Sequence, residues 1–399
     1  MKILIVHNHY RFRGGEDLCF EADTELLRKH GHQVVHYTRH NDEAGNRGAI
    51  REAFDTLWSR RTYDEVTALI RTERPDVMHV HNTFPLVSPS VYDAAADASV
   101  PVVQSLHNYR PFCVGAALLR NDRVCESCIG STFGWQGVRH RCYRGSLSAS
   151  TASAAVNARN RIRGTWKRKI ARFVAFSTAS RDLFVRAGFP ADRIVLNPHF
   201  VSLDRSPQEE RTDAFMFVGR LVPEKGIDRL LEAWKGFEGD WELRIAGEGP
   251  LEESVRRAAA ADPRIRFYGV VPRPQMLERL AESSALVFPS PWHETFGRVL
   301  IEAFALGLPV LASNLGGPLD IVDSPELGRL FDPTSTEAIR AAMTSFVADR
   351  SNHLSMRQAA YRAYLDKYTE DRNYARLIAI YDDAIASLGK TATAAGAVG

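Results

Sequence analysis

At 399 residues the chain is too long for one ordinary hydrophobic core and fits about two domains. Lysine and arginine number 51 against 48 acids, a net charge of only +3, which gives no electrostatic case for a nucleic-acid partner. No stretch approaches the ~20 consecutive apolar residues of a spanning helix, no signal-peptide pattern is seen, and five cysteines are too few to staple a chain of this size; together these predict a cytoplasmic protein.

Short apolar runs rich in β-branched residues alternate with helix-length segments from the start. In the first half, Lys2 to Val6, Gln33 to Tyr37, Asp76 to Val80, Val100 to Ser105, Arg172 to Ser177 and Arg193 to Leu196 read as buried parallel strands. After the first comes Arg11-Phe12-Arg13-Gly14-Gly15-Glu16, which is not the Gly-x-Gly-x-x-Gly of a dinucleotide site. Gly14 and Gly15 still permit close backbone approach to a phosphate or sugar, and an ordinary βα turn reads equally well. The fourth strand runs out at Leu106 and His107.

An insert from Arg110 to Gly145 then carries Cys113, Cys125, Cys128 and Cys142, spaced Cys-x11-Cys-x2-Cys-x13-Cys. Four thiolates are the complement of a closed tetrahedral structural zinc site, against which stand unligated thiols packed in a loop, or a redox pair. Cys19 reads as core. Beyond the insert, Arg159, Arg161, Arg163, Lys167, Arg168, Lys169 and Arg172 surround Ile162 and Trp166, a pattern suited either to an anionic membrane surface or to a solvated helix face.

The polar run Ser202 to Asp213 is the expected linker, giving a first domain over 1–201 and a second over 202–370. A helix over 371–388 is expected to cross back to the first domain, with a disordered tail over 389–399. In the second half, Ala214 to Val218, Trp241 to Ala246, Ile265 to Tyr268, Ala285 to Phe288 and Pro309 to Ala312 repeat the strand pattern. The fold class is therefore α/β, two doubly wound Rossmann-like domains facing across a cleft.

Chemistry concentrates where such sheets bind ligands, beyond the carboxyl ends of the strands. Gly219-Arg220 and Glu224-Lys225-Gly226 follow one strand and open the helix Ile227 to Trp234; a guanidinium and an ammonium there can hold a diphosphate. Gly247-Glu248-Gly249 follows the next. After Phe288 comes Trp292-His293-Glu294-Thr295-Phe296-Gly297, then an apolar helix containing Glu302 and stopping at Gly307-Leu308-Pro309. Thr295 is the expected N-cap, and Phe296 and Gly297 offer backbone N–H groups at the positive end of the helix. A carboxylate inside an apolar helix needs partners, so Glu302 is expected to answer to a ligand, although a helix-capping Glu294 and an ion-paired Glu302 are the structural alternative. No isolated Asp-x-Asp is present to hold a metal-bound nucleotide, which favours transfer without a catalytic metal.

Gly219-Arg220 with Glu224-Lys225-Gly226, Gly247-Glu248-Gly249-Pro250 and Glu294-Thr295-Phe296-Gly297 through Glu302 resemble the signature of the GT4 family of retaining glycosyltransferases with the GT-B fold. In the first half, Gly14-Gly15 and His107-Asn108-Tyr109-Arg110 match as well, the cysteine-containing stretch being similar to bacterial members that act in surface-polysaccharide synthesis. The resemblance implies a nucleotide diphosphate sugar as donor, with a glycan or a lipid-linked molecule as acceptor. It makes Arg220 and Lys225 the diphosphate clamps, Glu302 the ribose contact, Glu294 the contact to donor-sugar hydroxyls, and His107 a neighbour of the donor sugar. The catalytic set is then His107, Glu294, Arg220 and Lys225. The donor-binding set adds Gly14, Gly15, Gly219, Gly247, Glu248, Thr295, Phe296, Gly297 and Glu302. The rival from another class is a nucleotide-sugar-binding protein of the same fold that does not catalyse.

Overall fold

The computed structural model describes residues 1–399 except 12, 44–48, 204–206, 208–210 and 397–399. The strands, in chain order, are β1 (Lys2–His9), β2 (Gln33–His40), β3 (Val77–Val80), β4 (Val102–Ser105), β5 (Leu119–Arg120), β6 (Arg123–Val124), β7 (Arg172–Ala175), β8 (Ile194–Leu196), β9 (Ala214–Val218), β10 (Glu242–Ala246), β11 (Ile265–Phe267), β12 (Ala285–Phe288), β13 (Val310–Ser313) and β14 (Gly328–Phe331). Two compact units result: residues 1–118, 125–197 and 373–399 form one, and 119–124 with 198–372 form the other. The first boundary thus falls at 197 and 198, four residues before the expected 201 and 202. Much of the expected linker lies outside the described residues.

The first unit is built on a wholly parallel sheet in the order β2-β1-β3-β4-β7-β8. Ile3, Leu4, Ile5 and Val6 are fully buried because helices cover both faces of the sheet, which is why β1 reads as a continuous apolar run and not an alternating one. The helix Glu370–Gly396 belongs to this unit from Asn373 onward. Its Tyr381 hydroxyl lies 2.7 Å from His79 Nδ1 on β3, and His79 Nε2 lies 2.9 Å from Ser105 Oγ on β4. Burial pushes the His79 imidazole down to about 3, so it sits neutral in the sheet. The helix runs past Leu388 to Gly396, where a disordered tail was expected. Gly389, a residue that often ends a helix, does not stop this one.

The second unit carries the order β11-β10-β9-β12-β13-β14, also parallel throughout. Counted from β9 this is 3-2-1-4-5-6, whose strand order reverses between β9 and β12. Connections from these two neighbours leave to opposite sides and open a crevice at their carboxyl ends. The sequences that follow them are Gly219 to Lys225 and Pro289 to Gly297, so topology alone brings the two richest motifs side by side. A core of Phe215, Trp234, Trp241, Leu243, Ile339 and Phe346, with their neighbours, packs behind them. Among the described residues, no helix is long and apolar enough to cross a membrane.

Candidate functional site

The helix after β12 spans Arg298–Ala305 and begins at Gly297, which stands in the left-handed region at φ 99° with no side-chain cap. Thr295 is therefore not the N-cap. The turn Trp292-His293-Glu294-Thr295-Phe296 instead folds against the carboxyl end of the sheet, where Glu294, Thr295 and Phe296 are buried. Phe296 packs edge-on against His199, ring centroids 5.2 Å apart. The turn is held from the other side by the loop after β13. Gly317 N donates to Glu294 O at 2.7 Å, and Gly316, at φ 72°, lies so close that a Cβ there would meet Glu294 O at 2.6 Å. An uncapped helix start leaves its first N–H groups free of intrahelical partners, an arrangement that suits an anion.

Glu294 Oε1 accepts three hydrogen bonds, from Lys225 Nζ, from Ser290 Oγ at 3.1 Å and from Trp292 Nε1 at 3.0 Å. The Lys225 ammonium also lies 5.7 Å from the centroids of both the Phe288 and Trp292 rings. Structure thus joins the two residues that chemistry had assigned to different parts of one donor. Arg220, near Lys225 in sequence, is exposed, and its guanidinium makes no hydrogen bond or ion pair among the described residues. Its loop is locked to the one after β10: Gly219 N donates to Ala246 O at 3.1 Å and Leu221 N to Glu248 O at 2.7 Å. Gly247, at φ 146°, approaches so closely that a Cβ would fall 1.8 Å from Gly219 O. Glu248 contributes its backbone to this lock and leaves its side chain exposed.

Glu302 is 5% exposed on a helix whose neighbours Leu300, Ile301, Ala303, Phe304 and Ala305 are all buried. Its partners are Arg273, whose Nη1 donates to Oε1 at 2.7 Å, and Arg298, whose Nε lies 3.9 Å away. Both arginines escaped the sequence reading. Arg298 was hidden inside a motif read for its glutamates, and Arg273 opens the helix Arg273–Glu282 between two prolines, away from any motif.

In the first unit, Gly14 caps the helix Gly15–Lys29, and its N–H donates to Asp17 Oδ2 at 2.8 Å. Asp17 Oδ1 is met by His7 Nε2 at 2.9 Å, His9 Nδ1 at 3.2 Å and Tyr10 N at 3.3 Å. Burial alone would raise this carboxyl, but the bonds from His7, Gly14 and Tyr10 outweigh it and hold Asp17 down to about 2. An acid three residues after a helix cap is a readable signal that went unused. His107 lies at the end of β4, its Nε2 3.0 Å from His81 Nδ1, with the two rings stacked at 5.2 Å. His81 in turn has Nε2 3.7 Å from Asp23 Oδ2. Two clusters, His7 with His9 and Asp17, and Asp23 with His79 and His81, each gather three atoms able to ligate a metal.

Among the described residues, no three of Cys113, Cys125, Cys128 and Cys142 bring their sulfurs within 4.8 Å of one another. None of the four forms a disulfide. Cys113 is pushed up to about 11 by burial, which disfavours the thiolate, and Cys128 Sγ contacts Gly134 O at 4.0 Å. The insert is ordered by an apolar cluster of Val114, Val138 and Ala154, against which Phe133, Cys142 and Tyr143 pack. The basic stretch is likewise partly committed. Lys169 and Arg159 pair with Asp93, Arg172 pairs with Asp383, and Arg161 donates to Ser131 O at 3.2 Å. Arg163, Lys167 and Arg168 remain exposed beside Ile162, which is 76% exposed.

Two family models match the chain, "Glycosyl transferase 4-like domain" over residues 14–199 and "Glycosyl transferases group 1" over 202–363. A GDP-mannose-dependent alpha-mannosyltransferase of Corynebacterium glutamicum is 31% identical over 170 residues, covering 43% of this chain and 40% of that protein. Lipopolysaccharide 1,6-galactosyltransferase of Escherichia coli is 27% identical over 224 residues, covering 53% of this chain and 61% of that protein. An exopolysaccharide phosphotransferase of Streptomyces coelicolor is 29% identical over 191 residues, 46% of this chain and 19% of that one. The chain spans less than two thirds of the length of each of these relatives. Among solved structures, Anabaena HepE in complex with UDP superposes with a TM-score of 0.66 at 18% identity, over 98% of this chain and 100% of that one. Sucrose-phosphate synthase from Thermosynechococcus elongatus superposes with a TM-score of 0.71 at 17% identity, over 97% and 99%. With two sheets of this order and both halves matched by glycosyltransferase models, the chain belongs to the GT4 family of glycosyltransferases and has the GT-B fold.

Proposed function

We propose that the protein is a retaining, metal-independent glycosyltransferase that moves a sugar from a nucleotide diphosphate sugar to a glycan or lipid-linked acceptor. The observation that carries this reading is the Lys225 and Glu294 pair beside the uncapped start of Arg298–Ala305, at the point where the second sheet reverses its strand order. Cations, free backbone N–H groups and a polarised carboxylate meet there within one crevice. Arg220 and Lys225 take the diphosphate and neutralise it as the sugar leaves. Glu302 accepts from the ribose hydroxyls once Arg273, which is half exposed, gives way, and Glu294 accepts from the sugar hydroxyls. His107, oriented by His81, serves the donor sugar from the first unit. Retention is what the family implies: the departing phosphate helps remove the acceptor proton on the same face. HepE was crystallised with UDP and with UDP-glucose, and several relatives are named as mannosyl- or galactosyltransferases, which supports a hexose donor. The protein acts in the cytoplasm, and Ile162 with Arg163, Lys167 and Arg168 gives it a peripheral contact with anionic membrane.

A thermal-shift panel of nucleoside diphosphates and their sugars tests the donor assignment. One base, alone and with its sugar, should raise the melting temperature by mass action. No stabilisation by any of them would refute it.

A further inference from the structure

The first unit holds two adjoining pockets, and apart from His107 their lining residues have no part in the donor assignment. One is lined by Tyr92, Gln104, His107, Arg110, Asn157 and Trp166, with their neighbours. The second shares Asn157 and Trp166 as a common wall and adds Arg161 and Lys167. No aspartate or glutamate among the described residues lines either one.

Three side chains of the first pocket carry buried polar atoms without a partner: Arg110 Nε and Nη1, Asn157 Nδ2 and Trp166 Nε1. Every one is a donor. Asn157 is 8% exposed, so water does not readily serve it. Arg110 is braced from two sides, its guanidinium 4.2 Å from the Phe84 ring centroid and 5.1 Å from that of Tyr143. The buried carboxylate of Glu16 interacts electrostatically with Arg110 and accepts from Asn108 Nδ2 and from the Tyr10 hydroxyl at 3.0 Å, but Arg110 Nε and Nη1 have no hydrogen-bond acceptor. A cation and two neutral donors, all buried and unsatisfied around one space, are uncommon unless a ligand completes them. The complement of donors without acceptors is an anion rich in lone pairs. His107 in the same wall places that anion beside the residue assigned to the transferred sugar.

We propose that this pocket binds the acceptor through an oxyanion, the carboxylate of an acidic sugar or a phosphate on the glycan, held by Arg110, Asn157 and Trp166. The proposal rests on the glycosyltransferase reading for the word acceptor, and on the first unit alone for the anion.

The indole N–H of Trp166 reports on the site directly. In protein carrying nitrogen-15 in its six tryptophans, the Trp166 signal is assigned by its loss in Trp166→Phe. Sodium D-glucuronate, D-glucose 6-phosphate and uncharged D-glucose are titrated to about 50 mM, enough to saturate a millimolar site. At least one of the two anions should move the Trp166 signal saturably, and glucose should not. A response to glucuronate alone identifies a carboxylate, and a response to the phosphate alone a phosphorylated acceptor. Arg110→Met should weaken the responding anion about ten- to a hundredfold. Asn157→Ala, which leaves the aromatic bracing intact, gives a second weakened variant should Arg110→Met fail to fold. Silence with both anions, an equal response to glucose, or undiminished affinity in the variants would overturn the site. Nucleoside diphosphate affinity is followed by calorimetry in the same samples. If it is present while Trp166 stays silent, the anion site alone fails. If it is absent while Trp166 responds, the glycosyltransferase reading fails and the anion site stands.

Discussion

Lys225→Met, Glu294→Gln and the double variant form a cycle that measures whether the central ion pair is a unit. The Glu294 side chain is 9% exposed and that of Lys225 23%, so the carboxylate is screened by protein on most sides while the ammonium retains some water. A hydrogen bond to a charged group contributes about 1.5 to 3 kcal/mol, and the partial exposure of Lys225 places this one in the lower half of that range. Ser290 and Trp292 continue to donate to Glu294 in Lys225→Met, which limits the loss. In Glu294→Gln the amide can still accept from both but presents no charge to the lysine. Each single change should therefore cost about 1.5 to 2 kcal/mol. The double variant should fall short of the sum by a coupling of about 1 to 1.5 kcal/mol. For a unit of this size about 1 kcal/mol corresponds to a shift of roughly 2–4 °C. The assay is scanning calorimetry of the transition that includes the second unit, since a chain of two units need not unfold in one step. Losses that add to within about 0.5 kcal/mol would show that Lys225 and Glu294 act independently, and the pairing would have no energetic meaning.

Gly316→Ala should destabilise the turn that carries Glu294 by more than about 2 kcal/mol, because a Cβ would meet Glu294 O at 2.6 Å and Glu294 N at 2.8 Å; an unchanged melting temperature would contradict the packing described. His79 should make stability fall with acid. Its folded value of about 3 lies below the ordinary 6.5, so the unfolded chain binds a proton that the folded chain refuses, and about 1.4 kcal/mol per pH unit is lost as pH falls from 6.5 towards 3. Denaturant titrations at several pH values should find that slope reduced in His79→Gln, and equal slopes would refute the assignment. Transfer activity should survive brief treatment with EDTA, and a complete loss restored by Mg²⁺ or Mn²⁺ would place the enzyme in another mechanistic class.

Much of this fold is legible because parallel strands buried on both faces are short, continuous apolar runs. Ala214 to Val218 and Ala285 to Phe288 coincide with β9 and β12 residue for residue. β14 was missed because an edge strand of four residues, with Arg329 and Leu330 facing outward, lacks that run. The second-unit motif was readable as a set, since Lys225 and Glu294 do meet, but its local geometry was not. The helix starts at Gly297 and not near Thr295 because Gly316 and Gly317 press in from a loop distant in sequence, which no local pattern reveals. The apolar cluster of Val114, Val138 and Ala154 that packs in the insert was not legible either, because its members are separated by other residue types and by the cysteines. His7, His9 and Asp17 come from one strand and the helix after it, so an alternating His-x-His followed by an acid near a helix start is a signal that can be sought elsewhere.

The most direct test of the account separates the two carboxylates by calorimetric titration with a nucleoside diphosphate and with its sugar-bearing donor. Glu302→Gln should weaken both ligands about ten- to a hundredfold, the loss of one hydrogen bond to a charged acceptor. Glu294→Gln should leave the free diphosphate essentially unchanged and damage only the binding and turnover of the intact donor. If Glu294→Gln lost the free diphosphate as severely as Glu302→Gln did, the division of the site into a ribose end and a sugar end would be wrong.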